Sequence, residues 1–151
     1  RQRQMCIRDR VDAAVCIGGV NSPMEATLSP VLHHIGVLAY AHYPALYLYQ
    51  AARFGLRALR RTAAQAAAES GTPLLLVGGV HDWIAPLHRS SILAHLHALP
   101  QAQALLWAEP EHDGHADLLF GATRSEANPA LMAQITRFLR PEKFDEMKKS
   151  C

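Results

Sequence analysis

The sequence predicts an α/β fold, a parallel sheet of about three strands with a helical insertion after the first of them. Three observations carry that expectation. Two short apolar runs, VDAAVCIGGV at 11–20 and LLLVGGV at 74–80, each close on a double glycine and a valine, the pattern of strands buried on both faces. Segments of helical period alternate with such runs in the order strand, helical insertion, strand, helix, strand, helix, and right-handed crossovers turn that order into a parallel sheet. The loops after the second and third strands hold ionisable side chains, at the strand ends where open α/β sheets place their ligands.

The elements follow in order. Asn21, Ser22 and Pro23 read as a turn. Ser29-Pro30 pairs a cap residue with proline at a first helical position, and Leu28, Leu32 and Ile35 follow at helical spacing. Pro44 is expected to end or kink whatever precedes it. From there a long helix is expected over 45–69, with Leu46, Tyr49, Ala52, Leu56, Leu59, Ala63 and Ala66 as its apolar stripe and Arg53, Arg57, Arg60 and Arg61 as its wet side. Ser70-Gly71 stops it. After the strand at 74–80, HDWIAP is a loop. Ile92, Leu93, Leu96 and Leu99 mark a helix ending at Pro100, a third strand is expected at 104–108, and a last helix starts at Asn128-Pro129. Residues 141–151 read as a loose tail.

A chain of 151 residues, half of them hydrophobic and 19% charged, has the size and make-up of one globular domain. The formal net charge of +2, taken over the whole chain, gives no reason to expect nucleic acid or an anionic membrane as partner. No run approaches the roughly 18 apolar residues of a membrane span. Cys6, Cys16 and Cys151 form neither a metal-ligand spacing nor a disulfide framework, which favours a reducing, cytoplasmic setting and no metal or other cofactor. Residues 1–10, RQRQMCIRDR, hold four arginines with no strand or helical period. They resemble translated sequencing-adapter read-through and are set aside as a non-native leader, a native basic arm being the alternative.

Two loops hold the candidate chemistry. GGVHDWIAP puts Asp82 just past the end of the second strand, and EHDGHADLLFG puts His115 on a glycine-containing loop past the third. A carboxylate and an imidazole on adjacent loops can form the orienting half of a Ser–His–Asp arrangement, in which the acid fixes the ring tautomer and the ring transfers the proton. Asp82 could instead simply cap the helix that follows. His112 competes with His115, while Asp113 and Asp117 read as loop hydrogen-bonders. His81 and Trp83 flank the acid and are pocket-lining candidates, Trp83 for substrate binding. His88, His95 and His97 read as a solvated face. His33 and His34 are adjacent, so on a helix they are not expected to face one ligand. Tyr40, Tyr43, Tyr47 and Tyr49 suit either core packing or a pocket for an acyl or aromatic group.

Residues 73–140 resemble the C-terminal part of the α/β-hydrolases. The family's Gly-x-x-Asp-x-x-x-Pro pattern is matched by Gly79, Asp82 and Pro86, its Gly-His element by Gly114 and His115, and the order acid then histidine agrees. The resemblance implies that 11–140 is the C-terminal part of such a sheet, with 21–69 as a cap insertion. It also implies an esterase-like or lipase-like hydrolase acting on a small-molecule acyl substrate, with Asp82 and His115 catalytic. The family's Gly-x-Ser-x-Gly nucleophile elbow does not occur in this sequence. Ser22, in GGVNSPME, is the closest serine in context and lacks the closing glycine. The nucleophile is therefore expected upstream, and this chain alone is expected to be inactive. Two other readings stand beside this one. A metal-dependent phosphoesterase is suggested by GGVHD, although no Asp-x-His precedes it. A non-catalytic binding domain that keeps the fold is the other.

Overall fold

The computed structural model describes residues 11–108, 114–115, 117–120 and 126–140. The leader, the tail and His112 with Asp113 lie outside the described residues. Three parallel strands, β1 (Ala14–Ile17), β2 (Leu74–Gly79) and β3 (Ala102–Trp107), form a sheet in the order β1-β2-β3. Ala14 pairs with Leu74 and Leu74 with Ala102, so the strands run in step toward one carboxyl edge. The chain is thus mixed α/β, as its alternating pattern implies.

β2 is buried throughout. Its side chains alternate between two cores: Leu74 and Leu76 face Ala64, Ile92 and Leu99, whereas Leu75 and Val77 face Leu131 with Ile135 and Phe138 beside it. β1 contributes Ala14 and Cys16 to the first core and Val15 and Ile17 to the second. It is half-buried at a sheet edge. The apolar run at 11–20 therefore holds a four-residue edge strand where a fully buried one was expected.

The helical insertion departs most from expectation. α1 (Pro23–Ile35) begins earlier than Ser29-Pro30: Ser22 is its N-cap, accepting from the Glu25 N–H, and Pro23 takes the first turn. Pro30 lies inside it, and Ser29 is buried, donating to the Ser90 hydroxyl. After a 3₁₀ turn, α2 (Ala39–Phe54) runs straight through Pro44. The single long helix expected over 45–69 is three pieces: α2, α3 (Leu56–Arg60) and α4 (Ala63–Ser70). Gly55 at φ 83° separates the first two, a left-handed value that suits glycine. Thr62 and Gln65 form a reciprocal capping box that starts α4. The breaks rotate the apolar stripe apart. Leu59 and Ala64 are buried, but Tyr49, Ala52 and Leu56 are exposed.

Residues Ile92–Ala98 form a 3₁₀ segment rather than an α-helix. α5 (Pro129–Leu139), capped by Asn128 as expected, covers the second core. Buried Asn21 ties β1, α4 and the 3₁₀ segment together. Its Oδ1 accepts from the Ala64 N–H, and its Nδ2 lies 2.9 Å from His95 Nε2. Its backbone donates to Ser90 O and accepts from the Ala63 N–H. His95 is therefore half-buried and engaged, not part of a solvated face. Among the described residues no helix is long and apolar enough to cross a membrane.

Candidate active site

The carboxyl ends of all three strands meet at one place. Gly18 follows β1 and donates its N–H to Val77 O on β2. Asp82 lies three residues past β2, and His115 stands beyond β3. The structure brings Asp82 and His115 together, with His115 Nδ1 2.8 Å from Asp82 Oδ2. The Asp82 side chain is 1% exposed and that of His115 30%. The carboxylate is thus inside, and the ring lies between it and solvent.

The two Asp82 oxygens have different partners, and no helix begins at Asp82 for it to cap, the next helical segment starting at Ile92 with Ser91 as its N-cap. Oδ1 accepts from the N–H groups of Ile84 and Ala85, at 2.9 and 2.8 Å, closing the turn that carries it. Oδ2 is left to face the imidazole. Two backbone donors and one ring donor keep a buried carboxylate solvated by the protein, which its burial demands. With Nδ1–H donated to Asp82, Nε2 carries the free lone pair and is available as a base.

Gly18 gives the ring its room. A Cβ built on it would lie 2.9 Å from His115 Cε1, closer than side-chain atoms pack, and its φ of 59° is in the left-handed region. The double glycine after β1 reads in sequence as a strand stop. Its second use, a flat bed for the His115 ring, leaves no sequence signal apart from the glycine itself. Gly114 is likewise confined, a Cβ there meeting Asp117 Oδ2 at 3.0 Å.

Trp83 is 40% exposed beside the acid. The His33 ring stacks on it with centroids 4.7 Å apart, and His34 meets it edge-on at 5.7 Å. Adjacent on α1, the two histidines both touch the same indole, one stacked and one edge-on. A cleft of about 390 Å³ opens here, bounded by Ser29, Leu32 and His33 of α1 and by Asp82, Trp83 and Arg89. Arg89 hydrogen-bonds the Tyr40 hydroxyl and lies over its ring. Tyr43 and Tyr47 stack on each other, and Tyr49 points into solvent.

Each described serine is engaged elsewhere. Ser22 caps α1, Ser29 bonds Ser90, Ser70 bonds Ala67 O, Ser90 bonds Ile84 O, and Ser91 accepts from Leu93 N. Among the described residues no three His, Cys, Asp or Glu side chains converge as a metal site requires. Cys16 is a free thiol, and burial pushes its pKa up, so it is a poor thiolate at neutral pH. Comparison with protein-family profiles, with curated proteins and with solved structures finds no match.

Proposed function

We propose that this chain carries the acid and the base of a Ser–His–Asp hydrolytic triad that cleaves ester bonds of a small acyl substrate. The observation that supports the reading is the Asp82–His115 pair, a buried carboxylate with one oxygen fixed by backbone N–H groups and the other 2.8 Å from the imidazole Nδ1. In this reading His115 Nε2 takes the proton of a serine hydroxyl as the serine attacks the acyl carbon. It then passes that proton to the leaving alcohol, later draws one from the water that attacks the acyl-enzyme, and returns it to the serine oxygen as the acid departs. Asp82 holds the tautomer and stabilises the transient imidazolium. The Trp83 and His33 wall of the neighbouring cleft is the surface against which the acyl or alcohol group rests.

The serine and the oxyanion donors belong, in this reading, to chain upstream of residue 11, consistent with the structural duties of the described serines. The test is labelling by a fluorophosphonate probe, which needs an activated serine. Residues 11–151 alone should not label. The same residues expressed with their upstream coding sequence should label at one serine, and His115→Ala should abolish it. Labelling of a serine within 11–151, or none in the extended protein, contradicts the proposal.

A further inference from the structure

The cleft beside the acid–base pair has a charge character of its own. Its apolar part includes Leu32 of α1, Leu87 and the Trp83 indole. Of the ionisable side chains that bound it among the described residues, Asp82 is acidic, and His33, His81, His88 and Arg89 are basic. The Asp82 carboxylate is 1% exposed and engaged by two backbone N–H groups and the His115 ring. A ligand in the cleft therefore meets apolar surface and nitrogen bases, with no open carboxylate to repel an anion.

Arg89 is built firmly into this wall. Its backbone N–H and that of Ser90 both return to the Pro86 carbonyl, at 3.1 Å each. Ser90 is fully buried and is bonded in turn to the Ser29 hydroxyl of α1 and to Ile84 O. The Arg89 guanidinium donates to the Tyr40 hydroxyl and lies 5.6 Å from the centre of the Tyr40 ring. Tyr40, on α2, orients the guanidinium without neutralising it. Among the described residues no carboxylate is paired with Arg89.

A cation held in place at the border of an apolar cleft, its charge uncompensated, is a receptor for an anion. Among the bounding side chains Arg89 alone carries a charge independent of pH, so it matches one negative charge. Its planar fork fits a carboxylate. Leu32, Leu87 and Trp83 fit the hydrocarbon between that carboxylate and the ester.

We propose that the substrate ester carries a free carboxylate at the far end of a short apolar stem, and that Arg89 selects it. The inference rests on the hydrolase reading above and adds the substrate class to it. Arg89 recognises the carboxylate in the same way on the acyl half, as in a monoester of a dicarboxylic acid, or on the alcohol half.

The experiment offers two pairs of esters to the protein expressed with its upstream sequence and titrates the acid released. Methyl hydrogen glutarate against methyl butyrate puts the charge on the acyl half. The 3-butyryloxypropanoate ion against ethyl butyrate puts it on the alcohol half. In one pair the charged ester should have a kcat/KM about tenfold or more above its neutral partner. Arg89→Gln should erase that preference, mostly through KM, and Arg89→Lys should restore part of it. Arg57→Gln, which removes the same charge from a different groove, should leave the preference in place. Circular dichroism monitors the fold of each variant.

No preference in either pair, or an Arg89→Gln loss that is equal on charged and neutral esters, overturns the proposal. Turnover of none of the four esters counts against the hydrolase reading instead, and calorimetric titration with methyl hydrogen glutarate then decides the cleft. Binding that Arg89→Gln weakens about tenfold supports the carboxylate site. Binding that is absent, or indifferent to Arg89, overturns it.

Discussion

The two oxygens of Asp82 do different work: Oδ1 closes the turn through Ile84 and Ala85, and Oδ2 meets His115 Nδ1 at 2.8 Å. That division separates stability from chemistry. Asp82→Asn keeps an Oδ1 acceptor for the turn but offers an amide N–H to the ring, which favours the wrong tautomer. Asp82→Ala loses the turn as well. Chemical denaturation should therefore find Asp82→Asn near wild type and Asp82→Ala less stable by about 1–2 kcal/mol. Equal losses would mean that the turn is not held by this oxygen.

Gly18 is expected to tolerate no side chain. Gly18→Ala combines a left-handed φ of 59° with a Cβ 2.9 Å from the His115 ring. It should cost about 1–2 kcal/mol from backbone strain alone and should shift the His115 ring resonances in NMR spectra. Wild-type stability with an unmoved ring would remove Gly18 from the site.

Asn21 is the structural counterpart of the site, engaged through both side-chain atoms and both backbone groups. Asn21→Ala leaves the buried Ala64 N–H without an acceptor and should destabilise by about 2–3 kcal/mol. His95→Ala, which strands only one Asn21 donor, should cost less. Thermal or urea unfolding of the two variants provides the comparison.

Cys16 sets a pH dependence. Burial pushes its thiol above the ordinary value, so above that value the unfolded chain gives up a proton that the folded chain retains. The unfolded state then binds fewer protons, and stability must fall as pH rises through the ordinary thiol range and beyond. Cys16→Ala should remove that alkaline decline. At neutral pH the native thiol should react with iodoacetamide far more slowly than in denaturant.

How much of this was legible follows from where the information is local. β2 and the two flanking loops could be read because an apolar run, its glycines and the residue after them are consecutive in sequence. The sheet order then brings Asp82 and His115 to one edge. The third strand begins two residues before the run expected at 104–108, because AQALLW opens on an alanine and a glutamine that carry no strand pattern. In the helical insertion Ser29-Pro30 reads as a helix start and Pro44 as a helix end. Pro30 and Pro44 both sit inside helices, α1 and α2. The true breaks had signals of their own, Gly55 and the Thr62-x-x-Gln65 box, which an apparently continuous stripe of leucines and alanines concealed. The role of Gly18 against His115 joins residues far apart in sequence, and no local pattern could have announced it.

If Asp82 and His115 act as one unit in acyl transfer, a double-mutant cycle on ester turnover will show it. The protein expressed with its upstream sequence would be assayed on short p-nitrophenyl esters as wild type, Asp82→Asn, His115→Ala and the double variant. Each single change should lower kcat by roughly 10³-fold or more, and the double variant should be no slower than His115→Ala alone, because partners in a triad are strongly non-additive. Single variants that keep turnover within a few-fold of wild type, or losses that simply multiply, would contradict it.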